Sequence, residues 1–153
     1  MTDTYTVSRS IDIAAPPARI YEKIADFHNW PQWSPWEDMD PDMKREYSGA
    51  ESGLGAAYAW SGNNKAGKGR MEIVEAFEPG EVKIDLAFEK PFKSRSEIRF
   101  VVRPEGDGAQ VTWTMVGVKT VMTRMMSVVK SMDAMIGPDF EKGLGRLKTT
   151  TES

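Results

Sequence analysis

The sequence contains no cysteine. Disulfide scaffolds, cysteine-based zinc sites and thiol nucleophiles are thereby excluded. Histidine is nearly absent, with His28 the only one. A metal site built on one histidine without cysteine needs carboxylates, and the nearest, Asp26, is expected on a different face. His28 therefore reads as a surface or cap histidine, with a general base as the alternative. No apolar run approaches the ~20 residues of a membrane-spanning helix. The opening Met1-Thr2-Asp3-Thr4-Tyr5 lacks the basic-then-apolar layout of a secretory leader, so a cytoplasmic protein is expected. There is no Gly-x-Ser-x-Gly elbow, no internal repeat and no low-complexity stretch. Positive charge is not in excess either: 20 Lys and Arg face 23 Asp and Glu, for a net charge of −3. That balance argues against a dedicated nucleic-acid binder, which needs a basic face to meet phosphates.

What is present suits one folded domain. The 153 residues are enough to bury a core, and 40% hydrophobic with 28% charged residues argues against disorder. The 10 methionines and 5 tryptophans are notable, because methionine is flexible and suits cavities that adapt to varied partners.

Residues 4–14 alternate, with Tyr5, Val7, Ile11 and Ile13 at odd positions, which predicts a half-buried strand. Pro16-Pro17 stops it. Ile20, Ile24 and Phe27 then recur at helical spacing, predicting a short helix over 17–27 with proline in its first turn. The stretch Asn29–Trp36 is too proline-rich for a long helix and fits a 3₁₀ turn or a short helical piece. From 43 to 118 short alternating runs are punctuated by glycine and proline, predicting strands near 43–49, 55–61, 68–77, 81–89, 94–103 and 109–118. Their short connections predict an antiparallel meander. Met122, Met125, Met126, Val129, Met132, Ile136, Phe140, Leu144 and Leu147 follow a 3-or-4 spacing that predicts a long C-terminal helix, broken or kinked at Gly137-Pro138. The fold class is thus α+β, a curved seven-stranded antiparallel sheet wrapped around that helix, with short helices after the first strand. One helix does not fill the concave side of so long a sheet, and the space left is a natural ligand cavity.

Several segments resemble a known family. They are Ile13-Ala14-Ala15-Pro16-Pro17, Trp30-Pro31-Gln32-Trp33-Ser34-Pro35-Trp36, Tyr58-Ala59-Trp60-Ser61-Gly62-Asn63, Gly67-Lys68-Gly69-Arg70-Met71, Val111-Thr112-Trp113 and Gly137-Pro138-Asp139-Phe140-Glu141-Lys142-Gly143-Leu144. Together with the order of elements they resemble the START-like, or SRPBCC, superfamily of helix-grip proteins, in its bacterial polyketide cyclase/dehydrase and lipid-transport branch. The resemblance spans residues 5–150 and implies a single helix-grip domain over 1–153 with a cavity for a hydrophobic small molecule. It carries no set of catalytic residues onto this sequence.

Three motifs have competing readings. Gly62–Lys68 matches most of a phosphate-binding loop, but Gly69 stands where that motif needs Ser or Thr, and the loop joins two strands, so a hairpin turn is the ordinary explanation. Trp30, Trp33 and Trp36 sit on one side of a 3₁₀ turn, as a plug closing one end of the sheet or as a gate at the cavity mouth. The methionine stripe is a core face or an adaptable ligand wall. Glu72, Glu75, Glu78, Glu81, Asp85 and Glu97 read as solvated strand faces, with Arg95 and Arg99 beside them.

The expected ligand-binding residues are Trp33, Tyr58, Trp60, Met71, Phe88, Trp113, Met115, Met125, Met132, Ile136 and Phe140. No catalytic residue, metal ligand or cofactor is assigned. The expected partner is a hydrophobic small molecule, lipid or polyketide-like, without nucleic acid or membrane insertion, and the chain is expected as a monomer or homodimer. The rival readings are a cyclase or dehydratase using the same pocket, and a ligand-free interaction module of the chaperone-activator type.

Overall fold

A computed structural model describes residues 4–35, 40, 42–63, 66–78, 80–90, 93–118 and 132–152. Seven antiparallel strands form one sheet: β1 (Thr4–Ile13), β2 (Lys44–Gly49), β3 (Ala56–Ser61), β4 (Lys68–Phe77), β5 (Glu81–Lys90), β6 (Ser94–Glu105) and β7 (Gly108–Val118). Their order is β1-β7-β6-β5-β4-β3-β2, so β2 to β7 form the predicted meander and β1 returns to pair with β7. Helix α1 (Pro17–Ala25) and a 3₁₀ turn (Phe27–Gln32) follow β1, and helix α2 (Met132–Glu152) ends the fold.

Alternation decides which face of the sheet is buried. Val82, Ile84 and Leu86 of β5, Ile98, Phe100 and Val102 of β6, and Val111, Trp113 and Met115 of β7 all turn inward and are buried. The opposite face carries ion pairs that cross strands, among them Lys83 with Glu75 and Glu97, and Arg99 with Glu81. A register shift between Ile73 and Glu75 reverses the parity of β4. It explains how Glu72 and Glu75 both reach solvent although one is even and the other odd.

Helix α1 begins with Pro17, whose missing N–H would have no helical acceptor in any case. Its last-turn carbonyls are orphans of the helical pattern. The tryptophans supply the donors: Trp30 Nε1 donates to Ile24 O at 2.9 Å and Trp33 Nε1 to Lys23 O at 3.0 Å. Asp26 follows in extended conformation and caps the 3₁₀ turn. Its Oδ1 accepts from the His28 backbone N–H at 2.9 Å and meets Nδ1 of the same residue at 2.8 Å. The expected separation of Asp26 and His28 therefore does not hold, because Asp26 stands before the turn and not within it.

The predicted break at Gly137-Pro138 is absent, and α2 runs through both residues. Proline in a helix interior costs about 3 kcal/mol relative to alanine, and glycine about 1. A clamp from β1 works against that cost. Arg9 takes an inward position on β1, bonds both oxygens of Asp133 at 2.8 and 2.9 Å, and donates from Nε to Glu141 at 3.0 Å. Its guanidinium crosses the helix over Gly137, where a Cβ would lie 2.0 Å from Nη2. The far end of α2 is tied to β1 by Lys148, which donates to Asp12 O, and to α1 by Arg19, which donates to Thr151 O.

Candidate functional site

A cavity of about 240 Å³ lies between the concave face of the sheet and α2. Its wall is built strand by strand: Tyr58 and Trp60 from β3, Met71 from β4, Leu86 and Phe88 from β5, Ile98 from β6 and Met115 from β7. Trp30, Ser34 and Met43 close one side, Ala66 comes from the β3–β4 connection, and α2 adds Ile136 and Asp139. The volume is a little below the ~300 Å³ at the low end of known ligand pockets.

The aromatic part of this wall is held in place. Trp60 Nε1 donates to Ala66 O at 2.9 Å. Its ring stacks toward Tyr58 at 6.0 Å and meets Phe88 edge-on at 5.4 Å. The loop that resembled a phosphate cradle is this β3–β4 connection, closed by Gly62 N–H donating to Gly67 O at 2.9 Å. It serves as a turn that anchors an indole.

Of the residues expected at the site, Tyr58, Trp60, Met71, Phe88, Met115 and Ile136 line the cavity. Trp33, Trp113 and Phe140 do not, which corrects their expected position. All three are 0% exposed and belong to an aromatic core beside the cavity. There Trp113 stacks on Phe140 at 4.1 Å with the planes 6° apart, and Trp33 meets Trp113 edge-on at 5.6 Å. Trp113 has the inward parity of its strand, but the three rings pack on one another and are not part of the cavity wall. Met125 lies outside the described residues, as does Trp36, and of Met132 only the backbone is described.

Sequence reasoning did not assign Trp30, Ser34, Met43, Ala66, Leu86, Ile98 or Asp139 to the wall, where the structure places them. Leu86 and Ile98 share the inward parity of their strands and were accessible by that signal. Ser34, Met43 and Ala66 sit in connections, where periodicity gives no direction. Asp139 follows Ile136 by one helical step and was hidden by its charge. His28 is not part of the wall; its ring stacks on Tyr47 at 4.1 Å, and its side chain is 54% exposed.

The sheet, the short helices after β1 and the C-terminal helix are those of the Bet v 1-like helix-grip fold. The family model for polyketide cyclase / dehydrase and lipid transport matches residues 4–152, and the chain belongs to that family. No curated protein matches the sequence at a significant level. Solved structures similar in fold include protein CV1439 from Chromobacterium violaceum, with a TM-score of 0.70 at 13% identity over 97% of each chain. The Aha1 dimer from Colwellia psychrerythraea gives 0.64 at 16% identity, covering 97% of this chain and 96% of that one. Ara h 8.0201 gives 0.63 at 10% identity, covering 98% and 96%. At these identities the likeness is one of fold. No described helix is long and apolar enough to cross a membrane.

Proposed function

We propose that the chain binds a hydrophobic small molecule, lipid or polyketide-like, in the cavity between the sheet and α2. The observation that carries this reading is the composition of the wall, in which methionine, leucine, isoleucine and aromatic side chains from five strands surround open space. Apolar surface facing a cavity gains when an occupant replaces water, at about 25 cal/mol per Å² removed from solvent. The family description, which names lipid transport, supports the same reading. Native mass spectrometry of freshly purified protein tests it. A retained small molecule, released on unfolding and apolar in character, is the expected result; protein that is empty and takes up no apolar compound would overturn it.

One observation favours a second reading, that of a cyclase or dehydratase. Asp139 brings a carboxylate to the wall, and such reactions need a group that moves protons at the ligand. The retained compound separates the two. A carrier returns it chemically unchanged, whereas an enzyme converts it and loses conversion in Asp139→Asn.

A further inference from the structure

Among the described residues that line the cavity, Asp139 is the one that carries a charge. It lies one helical step from Ile136, which places both on the side of α2 that meets the open space. Other carboxylates of this helix are engaged: Asp133 and Glu141 hold Arg9, and Glu152 accepts from Lys148 and from the Ala14 N–H. Asp139 is half-buried, and its carboxylate makes no hydrogen bond or ion pair with the described residues. A carboxylate in an apolar wall is costly until a donor reaches it. The occupant is the natural source of that donor. An anionic occupant would instead bring a like charge into a region of low dielectric. The rings of Trp30 and Trp60 in the same wall add a preference for a cation over an anion, through the negative faces of their π-systems.

We infer that the cavity selects a hydrophobic amine, with its hydrocarbon against the apolar wall and its ammonium on Asp139, and rejects the corresponding carboxylate. This rests on the ligand-binding reading above and narrows it, since it sets fatty-acid-like ligands aside. The test uses three compounds that share an eight-carbon chain: octylamine, 1-octanol and octanoate. Each is titrated calorimetrically into the wild-type protein, Asp139→Asn and Asp139→Ser. The wild type is expected to bind octylamine at least tenfold more tightly than 1-octanol, and octanoate most weakly. Both variants are expected to bring the amine to within about threefold of the alcohol and to strengthen octanoate binding. If the wild type binds octanoate as tightly as octylamine, or either folded variant keeps the amine preference, the assignment of Asp139 is overturned while ligand binding stands. If none of the three binds the wild type, ligand binding falls and the inference falls with it. Should both variants fail to fold, the wild-type ranking alone decides.

Discussion

Trp60 and Gly69 are cross-strand partners, and the indole of Trp60 fills the space into which any side chain at 69 would point. A Cβ on Gly69 would stand 2.6 Å from Cη2 of Trp60 and 2.7 Å from the backbone oxygen of Ala87. The ring is also held by its hydrogen bond to Ala66 O, so it has little room to retreat. Gly69→Ala should therefore lower stability by about 1–3 kcal/mol, the usual cost of overpacking. Urea denaturation checks this, and an unchanged midpoint would mean that the indole moves freely.

Trp33→Ala distinguishes a plug from a gate. Trp33 is fully buried, caps α1 through its N–H and packs edge-on against Phe100 at 5.8 Å. Its removal should cost about 3–5 kcal/mol of folding stability, through lost burial and a residual void. The dissociation rate of a bound dye should change little, because Trp33 does not line the cavity. A faster off-rate at unchanged stability would restore the gate.

The clamp between β1 and α2 should show in the response to acid. Hydrogen bonding to Arg9 holds the Asp133 carboxyl below its ordinary range. A group whose pKa is depressed on folding contributes stability above its unfolded value, near ~4, and loses it as pH falls through the folded value. Arg9→Gln should therefore be less stable than wild type at pH 7, and the gap should narrow on acidification below about pH 4. Denaturation midpoints at the two ends of that range check it. A gap that stays constant with pH would show that Arg9 acts through packing and not through charge.

Much of the fold was legible because strands announce themselves by alternation. The run predicted at 81–89 is β5, Glu81–Lys90, and its alternate residues Val82, Ile84 and Leu86 are buried. The continuous α2 was not legible. Gly137-Pro138 is a break signal in isolation, and the clamp that overrides it comes from Arg9, far away in sequence. The site was legible only as a face. Parity says that Trp113 and Met115 both point inward, yet Trp113 joins the stacked core while Met115 reaches the cavity. That difference depends on where α2 and the 3₁₀ turn cover the sheet, which is tertiary information. Asp139 was missed for a related reason, since a charge beside an apolar stripe ordinarily marks the solvated side.

The most direct measurement of the central claim is saturable binding of an environment-sensitive apolar dye, compared between wild type and Met115→Trp. Met115 faces the cavity from β7, and an indole there would fill much of its volume. The variant should keep its cooperative unfolding transition, because new bulk enters open space and not a packed core. The account predicts one saturable site per folded wild-type chain and its loss in Met115→Trp. Saturable binding that survives unchanged in the folded variant, or none in the wild type, would contradict it.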